Sequence, residues 1–359
     1  MSTLGTIFRV TLFGESHGTG VGAVVEGVPA GLKLDLDAMR HELARRRPGQ
    51  SKLTTQRKEE DEAEFLSGVM HGAATGAPLA IFIRNTDVDS RPYDATRDLP
   101  RPGHADFTAW AKWGPARDHR GGGPFSARTT APLVAAGAIA RQMLAGVKIA
   151  GHVVEIAGIE VPHEIPFAAL AGAEGHATRC ADPTTAVLME HAITRARSEG
   201  DSVGGVVEVR AEGLPAGWGG PGADGLESEL ARALLAIPAA RGVEFGAGFR
   251  AARMKGSEHN DAFDVDHAGH VTTRTNNSGG ILGGISTGMP LVARVAFKPT
   301  SSLPRKQDTV NLATMKPAVV ETKGRHDPCV VPRAVPIVEA CVACVLADAK
   351  LRAAAENKR

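Results

Sequence analysis

The sequence predicts an α+β chain rather than a doubly wound nucleotide-binding fold or a P-loop fold. Three observations point there. Strand-like and helical stretches alternate irregularly along the 359 residues. No G-x-G-x-x-G follows a strand, and neither G-x-x-x-x-G-K nor H-E-x-x-H occurs. No segment repeats with a fixed period. The length allows one large domain or two intimate ones, and 43% hydrophobic residues suffice for a sizeable core.

Taken in order, Thr6 to Phe13 and Val21 to Val28 are apolar and β-branched enough for strands. Between them lies GESHG, residues 14–18, which fits the G-x-S-x-G nucleophile elbow of serine hydrolases. That motif needs a helix after the turn, and here a second strand follows. The alternatives are a histidine, His17, presented from a tight turn as a general acid, or a plain hairpin turn. Asp35 can cap a helix running to Arg47, with Leu36, Met39 and Leu43 on one face, and Pro48-Gly49 stops it. Arg45-Arg46-Arg47, Lys52, Arg57 and Lys58 could complement the helix dipole or hold phosphate. The acidic run Glu59 to Glu64 makes a solvated mixed-charge loop the competing reading.

Strands are expected at Phe65 to Met70 and Leu79 to Ile83, then a charged loop from Asn85 to Arg101. The stretch Arg101 to Thr130 combines His104, His119, Arg101, Arg117, Arg120 and Arg128 with Gly121-Gly122-Gly123. It opens into an Ala-rich helical pattern, Ala131 to Ala145. Flexible backbone ahead of a helix start can turn N–H groups toward an anion, and guanidinium forks suit phosphate or carboxylate. A polar surface loop is the other reading.

Further strands are expected at Ala150 to Val161, Val203 to Ala211, Gly242 to Phe249 and Val292 to Phe297. Helices are expected at Thr184 to Glu199, Leu226 to Ile237 and Val335 to Ala354. Lys298-Pro299-Thr300-Ser301-Ser302 could hold a phosphate by charge and hydroxyls, or form a polar turn. Residues 322–328, TKGRHDP, pack four ionisable groups together.

The totals exclude several classes. Net charge is +1 and aromatics are 4%, so neither a nucleic-acid-recruiting field nor stacking platforms are expected. Charged residues interrupt each apolar stretch before membrane-spanning length. Cys180, Cys329, Cys341 and Cys344 form no secreted disulfide framework, which favours a cytoplasmic protein, as does the lack of an N-terminal signal pattern. Cys341 and Cys344 lie inside an apolar helix without partner ligands, so they read as buried core thiols and no metal site is expected.

Several blocks are specific as an ordered set: GESHG, RRRPG at 45–49, TTQR at 54–57, RNTD at 84–87 and RPGHAD at 101–106. RGGG at 120–123, SAR at 126–128, GDS at 200–202, GGILGGIS at 279–286, KPTSS at 298–302 and KGRHDP at 323–328 follow. Together they closely resemble the chorismate synthase family over nearly the whole chain. The resemblance implies one domain spanning residues 1–359, a β-α-β sandwich with helices between two antiparallel sheets, and a homotetramer. It implies a 1,4-anti elimination of phosphate from 5-enolpyruvylshikimate 3-phosphate to chorismate. That is the last common step toward aromatic amino acids, and it requires reduced FMN. NADPH as the source of reducing equivalents is left open.

By the same resemblance, His17 matches the histidine that protonates the departing phosphate. His104 matches the one that protonates reduced flavin, and Asp327 the aspartate that works beside the flavin in hydrogen removal. Arg46, Lys52, Arg101, Arg128 and Arg325 match substrate-anion ligands. Ser126, Pro238, Ala239, Gly283, Lys298, Pro299, Thr300, Ser301, Ser302 and Arg325 match flavin-contacting positions. The chain departs from the family's R-S-S-A-R-E-T after the glycines: Pro124, Phe125 and Thr129 replace an arginine, a serine and a glutamate. Weaker flavin binding than usual is therefore expected, and Pro132 suggests a later start for the helix that follows.

Overall fold

Alternating apolar residues give the sheets one face to bury, and a run of small residues gives two helices that can sit between them. A computed structural model describes residues 2–50, 53, 59–322 and 326–356. The first sheet is antiparallel, in the order Thr3–Leu4, Arg9–Gly14, Gly20–Glu26, Leu79–Arg84 and Ala63–Ser67. The second, also antiparallel, runs Ala240–Phe245, Leu291–Phe297, Gly205–Glu212, Lys148–Ile156 and Ile159–Glu160. Val21, Ala23, Val25, Leu79, Ile81 and Ile83 turn inward from the first sheet; Val207, Val209, Leu291, Ala293 and Val295 do so from the second.

The helix Thr130–Met143 packs on the first sheet and the C-terminal helix Val331–Glu356 on the second. The two pack on each other and complete the sandwich. Their approach is close because the residues at the crossing are small: a Cβ on Gly137 would lie 2.6 Å from the Ala340 Cα. Helices Leu36–Arg46 and Leu226–Leu235 flank this pair.

Several expectations need correction. The first long strand begins at Arg9 rather than Thr6, because the Thr6, Ile7 and Phe8 amides donate to the Asp348 carboxylate at 3.0, 2.6 and 2.9 Å. The run from Ala63 breaks at Gly68, whose φ is +81°, into Ala63–Ser67 and Val69–Met70. The Arg101–Thr130 stretch is no simple loop, since Asp106–Trp113 is helical within it. The Ala-rich helix starts at Thr130 despite Pro132. That proline is the third helical residue, where an amide has no intrahelical acceptor. The C-terminal helix starts at Val331 and contains Pro336. The Pro332 carbonyl, which an amide at 336 would have served, takes a 2.7 Å hydrogen bond from the buried Arg179 Nη1 instead. Cys341 and Cys344 are buried, and burial pushes the Cys341 thiol up to about 12. No helix is long and apolar enough to cross a membrane among the described residues.

Candidate active site

Segments from distant parts of the chain converge on one cavity of about 1070 Å³. GESHG forms the hairpin between Arg9–Gly14 and Gly20–Glu26. The serine-hydrolase reading fails here: no helix follows, and Ser16 is buried with its Oγ accepting from the Gly122 amide at 3.3 Å. The glycine loop descends onto this hairpin. Gly121 has φ +62°, and a Cβ there would lie 2.5 and 2.7 Å from His17 Cδ2 and Nε2 and 2.7 Å from Ser16 Oγ. Only a glycine allows that approach.

His17 Nδ1 is 2.9 Å from the Ser90 hydroxyl, and its ring meets Tyr93 edge-on at 5.1 Å. His104 precedes the helix Asp106–Trp113, and its Nδ1 lies 2.7 Å from Asp106 Oδ1. Arg101 binds Asp106 through Nε (2.7 Å) and Nη2 (2.9 Å), the Gly121 carbonyl at 2.6 Å and Ser302 Oγ at 3.1 Å. Burial works against the Asp106 charge, yet the hydrogen bonds from Arg101 and His104 hold its carboxyl well below the usual range.

Arg46, in the last turn of its helix, is 1% exposed and pairs with Asp61 at 3.2 Å. Arg128 enters from the glycine loop. It binds Asp61, Asn85 Oδ1 (2.8 Å) and the Arg84 carbonyl (2.9 Å), with Glu59 at 3.6 Å. Glu59 and Asp61 are therefore not a solvated face. They are buried counter-charges to the two arginines. Burial brings the Arg46 guanidinium down to about 10, Asp61 opposing and the nearby Arg333 and Arg128 adding to the fall. It stays cationic near neutral pH, in a corner where added negative charge is favoured.

From the second sheet, Ala239 follows helix Leu226–Leu235 with φ +72° and accepts from the Lys298 amide at 3.0 Å. Lys298 Nζ lies 2.6 Å from Ser301 Oγ. Burial first, then Arg241, lower that amine below its ordinary range. Thr300 Oγ1 donates to the Asp327 carbonyl at 2.9 Å, and Arg333 Nη1 holds the Asp327 carboxylate at 2.6 Å. Phe125 lines the cavity 40% exposed and stacks on Trp113 at 5.8 Å.

The cavity thus gathers His17, Arg46, Arg101, His104, Ser126, Arg128, Pro238, Ala239, Lys298, Thr300, Ser301, Ser302 and Asp327. It does not gather Gly283, which sits in the turn between Ile281–Leu282 and Ile285–Ser286, or Pro299, although both its neighbours line the wall. Lys52 and Arg325 lie outside the described residues. Sequence reasoning missed Ser90, Tyr93, Asp106, Arg333 and the pairing roles of Glu59 and Asp61. Two of these carried a signal. Tyr93 is the chain's single tyrosine. Arg333 is a cation in the first turn of a helix, where the dipole opposes it and a carboxylate partner is required.

Imidazoles, carboxylates and buried guanidinium groups around one large cavity define an enzyme site for proton transfer on an anionic substrate. The comparisons narrow this class. The chorismate synthase family profile matches residues 8–351. The chain is 50% identical to a chorismate synthase of Methanosarcina mazei, across 100% of this chain and 98% of that one. It is 51% identical to one of Archaeoglobus fulgidus (98% and 97% covered) and 49% identical to one of Opitutus terrae (99% and 98%). A solved chorismate synthase superposes with TM-score 0.77 at 33% identity, covering 97% of this chain and 93% of its own. The chain belongs to the chorismate synthase family. It is a carbon–oxygen lyase acting on phosphates, and its two antiparallel sheets with helices between them are the fold of that family.

Proposed function

We propose that the protein converts 5-enolpyruvylshikimate 3-phosphate to chorismate and phosphate, with reduced FMN, in the shared route to aromatic amino acids. The observation that carries this is the convergence of His17, His104, Arg128, Lys298 and Asp327 from separated segments on one cavity. Its volume of about 1070 Å³ lies at the upper limit of single-ligand sites, which suits a flavin and a substrate side by side. The donor set also fits a flavin: Ser126, Ala239, Lys298 and the Thr300–Ser302 hydroxyls all line the cavity. Reduced FMN, when bound, would supply the transient electron that expels phosphate and recover it with the unactivated hydrogen.

The remaining work falls to the chain. Arg46, Arg101 and Arg128, with Lys52 and Arg325, meet the substrate's phosphate and carboxylates. His17 carries the proton for the departing phosphate, its ring oriented by the Ser90 hydroxyl at Nδ1. His104 carries a proton on the flavin side. Asp327, held by Arg333, is the basic group where hydrogen is removed. The protein acts as one domain, a cytoplasmic homotetramer, in keeping with the family resemblance. NADPH serves only if the chain reduces its own flavin.

Anaerobic phosphate release from the substrate with photoreduced FMN tests this reading. Binding without release would assign the chain to a non-catalytic relative altered at 124–130. A flavin titration in the same preparation tests the expected weaker affinity. Tight binding of the ordinary family strength would show that Phe125 and the loop backbone replace the missing arginine and serine.

A further inference from the structure

His17 and His104, both on the cavity wall, have different neighbours at Nδ1. His17 meets a hydroxyl, Ser90, whereas His104 meets the Asp106 carboxylate at 2.7 Å. Asp106 itself does not line the cavity. It stands in the first turn of the helix Asp106–Trp113 and accepts from Arg101 three times, at Nε, Nη2 and the backbone amide (3.0 Å). Those bonds fix the carboxylate and keep it ionised.

A fixed carboxylate at Nδ1 has two effects on an imidazole. It occupies the Nδ1 proton, which leaves Nε2 as the exchanging atom, and it favours the charged ring. The opposing cations are Arg101, whose Nη2 lies 3.1 Å from His104 Nδ1 and 3.4 Å from its Nε2, and Lys298, bonded to the Ser301 hydroxyl that donates to the Gly103 carbonyl. Arg101 is itself neutralised by Asp106.

We propose that Asp106 is a positioning residue for His104, pinning the ring through Nδ1 so that Nε2 carries the proton it donates. This rests on reading His104 as a proton donor. The dyad and that role can fail separately.

The experiment is an NMR titration of the histidine side chains in the full chain, with the His104 signal assigned by H104Q. In D106N the His104 midpoint should fall by about one pH unit or more, while that of His17 moves far less. The alkaline limb of kcat should fall with it, with KM nearly unchanged. An unmoved His104 midpoint overturns the dyad. A lowered midpoint with kcat untouched supports the dyad and overturns the proton-donor role. Should D106N not fold, D106E keeps the charge on a longer arm. There the His104 midpoint should stay and kcat should fall, and an unaltered kcat would overturn the positioning.

Discussion

Gly121→Ala tests the tightest contact in the cavity. The backbone there has φ +62°, a conformation that costs an L-residue about 1–2 kcal/mol. The new methyl would also lie 2.5 to 2.7 Å from His17 and Ser16, against the 3.5 Å or more of an ordinary contact. One side must retreat by about 1 Å, and overpacking of this kind costs about 1–3 kcal/mol more. Adding both, the variant should lose about 2–5 kcal/mol of stability. A proton donor displaced by about 1 Å should lower kcat about 100-fold. Gly31→Ala is the control, since its φ is +83° and a Cβ would meet nothing within 4 Å. It should show the backbone cost alone and keep full kcat. Urea denaturation and anaerobic phosphate release read the two quantities. If Gly121→Ala folds and turns over at the wild-type rate, then His17 is not held where the reasoning requires.

Two further predictions concern buried charge. Asp61→Asn keeps shape and the left-handed backbone (φ +56°), which asparagine tolerates, but removes the carboxylate paired with Arg46 and leaves Arg128 with Glu59 at 3.6 Å. The expected loss is about 3–5 kcal/mol in chemical denaturation, and a loss under about 1 kcal/mol would refute the pairing. Glu208 lies among His152 at 3.7 Å, Arg210 and Arg294; burial raises its pKa, but these neighbours outweigh burial and bring it from 4.5 to about 2. A depressed carboxyl stabilises fully above its unfolded value and loses that contribution as pH falls toward the folded one. The stability gap between wild type and Glu208→Gln should therefore shrink by about 2 kcal/mol from pH 6 to pH 3. A constant gap would contradict the shift.

Much of the frame was legible because sheets and caps are local. The alternation of Leu79, Ile81 and Ile83, the Asp35 cap and the GESHG turn each declare themselves within a few residues. The site was legible only as an ordered set of motifs, since each block alone reads as well as a turn or a solvated loop. What stayed hidden depends on partners far along the chain. Glu59 and Asp61 look like a solvated acidic run until Arg128 is brought to them. The first strand looks longer than it is until Asp348, 340 residues away from Phe8, takes its amides. Asp106 escaped notice for a different reason: it acts through a histidine two residues earlier, and its effect lies in the orientation of that ring.

The missing methyl at Gly137 has a consequence beyond the crossing itself. His17 hangs from the first sheet, while Lys298 and the Thr300–Ser302 hydroxyls follow a strand of the second. The separation between those layers is set by how nearly the Ala-rich and C-terminal helices touch. A side chain at 137 would act as a shim, widening the aperture between His17 and the Thr300–Ser302 hydroxyls without altering any side chain that lines it.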